Sequence, residues 1–263
     1  ERGKLIKVLI VTSEYPTKSR KNDVPWLKNQ VSFLENKGIE TSVFKIPNGK
    51  IIEKFKAIIL MRRKFKEENY DLIHCHWGYN TLLTYNKKIP IVTTYHGSDL
   101  QGEINKFGSL SIKAYVMIFI SRLSIYFSYV NIFVSERLAR SVPRKTNNFK
   151  NHIIPMGFDE KKFIHSDKIK SKSKLGLSTS KKYVLFAGNY SQPVKGYLLA
   201  KKVMDFLDES YEMITLDYSP YDSMIDYMNS SDVLLMTSYQ EGAPVIVKEA
   251  VACGLRVVST DVG

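Results

Sequence analysis

The sequence predicts an α/β protein built on two parallel sheets. Three observations carry this. Short runs rich in β-branched residues alternate with helical patterns, the alternation stops at a polar stretch rich in Lys and Ser, and it restarts beyond that stretch. A chain of 263 residues with 44% hydrophobic content has enough apolar material for two such cores.

The elements follow in order. KVLIVTS (7–13) reads as a buried strand: its apolar run ends in Glu-Tyr-Pro without the small-residue cleavage site of a leader peptide. PWLKNQVSFLENKG (25–38) is the first helix, ETSVFKI (40–46) the second strand and IIEKFKAIILMRRKFKEEN (51–69) a second helix with apolar positions at helical spacing. YDLIHCHW, YNTLLTYNKK and PIVTTYHG continue the βαβ pattern. The longest apolar region, 111–135, is interrupted by Lys113 and Arg122 and dotted with Ser and Tyr, so it reads as a buried helix followed by a strand, not as a membrane span. After HIIPMGFDEKKF comes the polar stretch IHSDKIKSKSKLGLSTSKK (164–182), a linker with a capping helix. YVLFAG, YEMITLD, DVLLMTS and RVVSTDVG are the strands of a second unit. The expected domains are 1–165 and 166–263, with the boundary near 160–180.

The formal charge is +13 and unevenly placed. Residues 1–160 hold 26 Lys and Arg against 14 Asp and Glu, while residues 161–263 hold 13 against 12. A basic half suits nucleic acid, an anionic membrane surface or a phosphorylated substrate, and charge alone does not choose among them. Cys75 and Cys253 stand far apart in apolar surroundings with no CxxC, which fits a reducing compartment and buried thiols. Neither a Walker loop nor a GxGxxG fingerprint is present, because FAGNYSQPVKG spaces its glycines wrongly for both.

In open parallel sheets ligands sit beyond the carboxyl ends of the strands, which directs attention to 12–25, 74–80, 95–99, 188–196 and 238–244. In YQEGAPVIVKEAVACG (239–254), Pro244 suits the first turn of a helix that runs to about Cys253 and is stopped by Gly254. The amides of Gly242, Ala243 and Val245 would then offer a phosphate site at the helix start. Glu241 beside that site and Glu249 inside the helix make sense if they face sugar hydroxyls of the same ligand.

EGAPVIVKE matches the E-x7-E motif of retaining glycosyltransferases of family 4, which have the GT-B fold. YDLIHCHW resembles that family's strand ending in His-x-His, TTYHGSDL its Thr-x-His-Gly-x-Asp segment, and VSERLA the strand and Ser opening its next helix. IPMGFD resembles its Pro-Asn-Gly-Val-Asp turn, and FAGNYSQPVKG its Gly-Arg…Lys-Gly loop. The resemblance covers nearly the whole chain, and VKEAVACGLRVVSTDVG is similar to bacterial exopolysaccharide and cell-wall polymer enzymes. It implies two Rossmann-like domains facing a cleft, an acceptor side first and a donor side second, the latter truncated at Gly263.

It also implies roles. Glu249 would bind the donor ribose, Glu241 the transferred sugar, and Lys195 the diphosphate, with Gly188, Asn189, Gly242, Ala243, Pro244 and Val245 lining the donor site. His96 would contact the sugar and acceptor, and Asp99, His76 and Tyr15 complete the acceptor side. The expected partners are a nucleoside-diphosphate sugar and a saccharide or lipid-linked acceptor, with no cofactor and no metal, since no fourth ligand is suitably spaced beside His74, His76 and His96. Two departures stand out within the chain: Asn189 where the family usually has Arg, and a first loop without the usual glycine, near Asp23.

Other readings stand beside this one. A sugar-nucleotide epimerase of similar fold would use the same carboxylates and histidines as acid and base. A non-catalytic basic protein would use the first half alone, on a membrane or on nucleic acid, although no RNA-binding motif with interleaved aromatics is visible. The basic face of helix 50–69, with Lys54, Lys56, Arg62, Arg63, Lys64 and Lys66, is either a solvated amphipathic face or a contact for anionic lipid. The expected location is cytoplasmic, peripheral at the inner face of the cytoplasmic membrane.

Overall fold

A computed structural model describes residues 5–16, 24–47, 51–86, 88–104, 108–143, 151–186, 188–216 and 221–263. The chain divides into two compact units, residues 1–102 with 111–156, and residues 103–110 with 157–263.

In the first unit β1 (Lys7–Thr12), β2 (Glu40–Lys45), β3 (Leu72–His76), β4 (Ile91–Tyr95), β5 (Val130–Phe133) and β6 (Asn151–Ile153) form one sheet in the order β2-β1-β3-β4-β5-β6. Every pairing is parallel. Residues alternate across a strand, and both faces of β1 are apolar. Val8 and Ile10 pack on Leu27 and Val31 of α1 (Pro25–Asn36). Leu9 and Val11 face the other way, toward Met61 of α2 (Ile51–Glu67), in a cluster with Ile73 and Cys75.

Alongside α2 on that second face lie α3 (Gly78–Thr84) and α5 (Ile112–Ser124), with the short α4 (Ser98–Gln101) against α5. Gly78 explains how closely α3 and α5 approach: a Cβ there would lie 2.5 Å from Tyr95 Cε1 and 2.9 Å from Ser121 Cβ. At this contact α5 presents the small residue Ser121. Ser124 and Ser128 are buried, and they bond to Tyr95 (2.8 Å) and Thr93 (2.7 Å) on β4.

This corrects the expectation of a buried helix over 111–135. The helix and the following strand are there, but the helix is only partly buried: Met117 and Ile118 are half-buried, while Ile112 is 85% exposed and Phe119 67%. α6 (Glu136–Arg140) follows β5, capped by Ser135, whose hydroxyl accepts from the Leu138 amide.

The second unit holds α7 (Lys168–Lys174), β7 (Lys182–Phe186), α8 (Tyr197–Met204), β8 (Tyr211–Thr215), α9 (Met224–Ser230), β9 (Val233–Met236), α10 (Val245–Ala252) and β10 (Arg256–Ser259). Its strands are all parallel in the order β10-β9-β7-β8. α8 covers one face through Ala200 against Val184, Phe186 and Leu235, and α9 and α10 cover the other through Met228 and Ala250 against Leu185 and Leu234. Strand order reverses between β7 and β9 in this sheet and between β1 and β3 in the first. Those two points are where ligands of open α/β sheets bind.

Candidate active site

The carboxyl ends of β7 and β9 carry the second unit's site. A one-turn 3₁₀ helix, Pro193–Lys195, ends at Gly196, whose φ is +66°. A Cβ on Gly196 would lie 2.1 Å from the Thr237 carbonyl oxygen, so only glycine fits. Thr237 Oγ1 donates to the Gly196 carbonyl (2.9 Å) and the Tyr239 amide to the Val194 carbonyl (2.8 Å), which fixes the turn on the end of β9. The Lys-Gly pair is thus a backbone device that aims Lys195.

Lys195 Nζ donates to Glu241 Oε1 at 2.8 Å, and Ser238 Oγ donates to the same oxygen at 2.7 Å. Gly188 leaves room for the lysine, since a Cβ there would lie 3.3 Å from Lys195 Cγ. A small pocket at this point is lined by Phe186, Gly188, Lys195, Thr237, Ser238 and Ile246. Asn189 is turned to its own loop, where its Oδ1 accepts from the Ser191 amide (2.8 Å) and hydroxyl.

Gly242 and Ala243 lead into α10, with Pro244 extended at its N-cap and Val245 as its first residue. The Val247 amide bonds back to the Pro244 carbonyl at 3.3 Å, and the first amides of a helix lack acceptors within it and carry the positive end of its dipole. At the other end Gly254, with φ +73°, closes the helix: its amide bonds to Val251 and that of Leu255 to Ala250.

Glu249 lies on the buried side of α10, only 4% exposed. Its Oε1 accepts from Tyr221 Oη at 2.6 Å. Burial raises its pKa, while the Tyr221 bond and the charge of Lys162 pull it down. Lys162 also lies 4.2 Å over the Tyr221 ring and pairs with Asp222 at 2.6 Å. Glu241 and Glu249 therefore have different surroundings, a cation for one and a phenol for the other.

The first unit's cluster lies past β3 and β4. His76 Nδ1 and His96 Nε2 are 3.0 Å apart, and His74 Nε2 bonds to Thr94 Oγ1 at 2.8 Å. Trp26 and Trp77 flank His96 with ring centroids at 4.8 and 4.9 Å. Trp77 has φ +66°, a backbone conformation unusual for a bulky side chain.

His76 Nε2 is buried with no hydrogen-bond partner among the described residues. Burial holds all three imidazoles below their ordinary pKa, His74 down to about 4, so they are neutral near pH 7. Among the described residues no group of three His, Cys, Asp or Glu is arranged to hold a metal ion.

Asp99 is fully buried. Its Oδ1 accepts from the His96 (3.1 Å) and Gly97 (3.0 Å) amides and its Oδ2 from the Gly78 amide (2.9 Å), so it positions the backbone carrying His96. Burial raises its pKa against these bonds. Ser13 is bonded through Asn80 to the His76 carbonyl, tying the end of β1 to the same loop. Tyr15 stands apart in the α1 cluster with Val8, Ile10 and Leu27. Residues 17–23 of the first loop, Asp23 included, lie outside the described residues.

Lys195, Glu241 and His96 lie in the segments that follow β7, β9 and β4, and Glu249 lies within α10. The family model described as Glycosyltransferase Family 4 matches residues 2–162, more than half of the chain, and that of Glycosyl transferases group 1 matches 202–263.

The chain belongs to glycosyltransferase family 4.

Two relatives of the family 4 chain are bacterial. A Bacillus subtilis protein named as a teichuronic acid biosynthesis glycosyltransferase, TuaC, is 24% identical over 79% of this chain and 57% of its own length. The N-acetyl-alpha-D-glucosaminyl L-malate synthase of Bacillus anthracis is 22% identical over 75% of this chain and 58% of its own. The chain thus spans less than two thirds of the length of these relatives.

Among solved structures, sucrose-phosphate synthase of Thermosynechococcus elongatus has a TM-score of 0.74 at 14% identity, covering 98% of this chain and 82% of that one. Anabaena HepE in complex with UDP and glucose has a TM-score of 0.69 at 16% identity, covering 98% and 81%. These likenesses show a GT-B type of α/β fold.

Tyr221, Trp26 and Trp77 were not singled out by the sequence. Tyr221 follows β8 in the sequence, and extending the strand-end rule to that strand would have reached it. Trp77 lies within the marked segment 74–80 and Trp26 one residue past 12–25, but neither has a spacing signature.

Proposed function

We propose that this family 4 chain is a retaining glycosyltransferase that moves a sugar from a nucleoside-diphosphate donor to a saccharide or lipid-linked acceptor. The observation that carries this reading is the convergence of Lys195, Glu241 and the α10 N-terminus at the β7/β9 switch point. A cation and free amides suit a diphosphate, and a carboxylate beside them suits sugar hydroxyls. That HepE is solved with UDP and glucose supports a donor of this class.

In the proposed reaction an acceptor hydroxyl attacks the anomeric carbon on the face that the diphosphate leaves. The C–O bond to the diphosphate breaks, a new C–O bond forms, and the acceptor's proton passes to the departing phosphate oxygen. Lys195 and the first-turn amides of α10 stabilise the growing negative charge without a metal ion. Glu249 takes a ribose hydroxyl, and Glu241 orients the sugar. Neutral His96, flanked by Trp26 and Trp77, offers a polar and stacking contact on the acceptor side, held by Asp99.

The test is calorimetry and thermal shift with uridine, guanosine and adenosine diphosphates and their sugar conjugates, on the wild type, Glu249→Ala and Lys195→Ala. Selective binding of one nucleotide that both variants lose supports the donor site. Binding that survives both variants rejects it. Turnover of donor without acceptor to an epimerised sugar nucleotide would favour the epimerase reading.

A further inference from the structure

Building on the donor-site reading above, we propose that Tyr221, held by Lys162 and Phe163, is a positioning residue for the donor's ribose: it takes one oxygen of Glu249 and so presents the other to a ribose hydroxyl. The 158–163 turn, to which that reading gives no part, thereby reaches the donor site.

A carboxylate is costly to bury unless its oxygens are bonded. Glu249 is 4% exposed; its Oε1 accepts from Tyr221 Oη at 2.6 Å, while its Oε2 makes no hydrogen bond to a described residue. A glutamate with a purely architectural role would gain from having both oxygens met, or from replacement by an apolar residue. The half-met carboxylate calls for one more donor, and a ribose hydroxyl is a donor of the right kind.

Tyr221 is itself held from two directions. Lys162 Nζ lies over the ring, 4.2 Å from its centroid, and is tied down by Asp222 Oδ1 at 2.6 Å. Phe163, 1% exposed, meets the same ring nearly edge-on with centroids 5.7 Å apart. Both residues come from one turn fixed by Asp159, whose carbonyl accepts from the Lys162 (3.1 Å) and Phe163 (3.0 Å) amides and whose Oδ1 accepts from the Lys161 amide (3.1 Å). With the phenol fixed in this way, the Glu249 carboxylate keeps one orientation, because Oε1 has to stay with Oη.

Lys162 acts by charge as well as by position. A cation over the face of a phenol attracts its ring electrons and makes the hydroxyl a stronger donor, and the same charge favours the ionised form of Glu249. The ribose hydroxyl then meets a charged acceptor, and hydrogen bonds to ionised groups are the stronger ones. Preference for ribose over deoxyribose therefore depends on two residues that stand one and two steps behind Glu249.

The experiment is calorimetry with uridine, guanosine and adenosine diphosphates and their 2′-deoxy and 3′-deoxy forms, on the wild type, Tyr221→Phe, Lys162→Met, Lys162→Arg and Glu249→Ala, with melting curves to verify each fold. The quantity read is the ratio of ribonucleotide to deoxynucleotide affinity. A variant that merely loosens the fold lowers both affinities alike and leaves the ratio where it was.

The wild type is expected to prefer the ribose form about thirtyfold over at least one deoxy form. Tyr221→Phe and Lys162→Met each lower that preference to about fivefold, Lys162→Arg keeps it, and the residual binding of Glu249→Ala no longer distinguishes the two sugars. If Glu249→Ala loses the preference while Tyr221→Phe and Lys162→Met retain it at the wild-type level, the proposal is overturned and the donor-site reading stands. If the wild type binds ribose and deoxyribose forms equally, or Glu249→Ala keeps the preference, the ribose role of Glu249 falls and the proposal falls with it.

Discussion

Lys195 Nζ and Glu241 Oε1 are 2.8 Å apart, so the cation proposed for the diphosphate and the carboxylate proposed for the sugar pair with each other. A donor that brings both phosphate and sugar satisfies both, whereas a nucleoside diphosphate must compete with Glu241 for the lysine. Glu241→Gln should therefore bind the free nucleoside diphosphate more tightly than the wild type while losing sugar transfer. Lys195→Ala should lose both, with transfer falling about 100-fold or more. The pair itself contributes about 1 kcal/mol or less to stability, so melting temperatures should move little. Calorimetry with the diphosphate and its sugar conjugate, side by side, checks the reversal.

Tyr221 Oη donates to Glu249 Oε1 at 2.6 Å, and Tyr221→Phe removes this bond to a buried carboxylate. Such a loss costs about 1–3 kcal/mol. The Glu249 pKa, already raised by burial, should rise further because the phenol favours the ionised form. The acid limb of nucleotide binding should then move to higher pH in Tyr221→Phe. An unmoved limb would mean that Glu249 does not take part.

Glu249→Gln tests the same group through stability. A carboxyl with a raised pKa in the folded state adds stability at low pH that is lost as pH rises through the folded pKa. The Gln variant lacks this loss. It should match or exceed the wild type in melting temperature at pH 8 and fall behind it as pH drops below the carboxylate range, while binding nucleotide poorly throughout.

The histidine cluster has the opposite sign. His74, His76 and His96 are held below their ordinary pKa by burial, His74 to about 4. The unfolded chain takes up these protons first as pH falls, so the stability present above pH ~6.5 is lost progressively toward the folded values. Urea denaturation at steps between pH 8 and 4 should show this slope. Replacing His74 with Gln should flatten it, provided the bond to Thr94 is kept.

Two glycines carry packing predictions. Gly196→Ala combines positive φ with a Cβ 2.1 Å from the Thr237 carbonyl, so the turn that aims Lys195 must shift and nucleotide affinity should fall. Gly78→Ala forces α3 from Tyr95 and Ser121 and should cost about 2 kcal/mol or more, with no loss of nucleotide affinity in the folded fraction. Denaturant melts and calorimetry on both variants separate the two effects.

The sequence by itself determined the strands, because a run such as KVLIVT is apolar on both faces only where helices cover both sides of a parallel sheet. It also determined α10, through Pro244 at the start and Gly254 at the stop, and with it the spacing of Glu241 and Glu249. These features are local, written in φ preferences and side-chain period.

Only the tertiary structure decided that Lys195 pairs with Glu241, that Tyr221 reaches Glu249 and that Asp99 gathers the amides of Gly78, His96 and Gly97. It also left Ile112, Tyr115, Val116 and Phe119 of α5 exposed. Hydrophobic pattern states which residues are apolar, but which side of a helix faces the sheet was set here by the closeness of Gly78 to Ser121 and by serine bonds to β4, contacts between residues far apart in the chain.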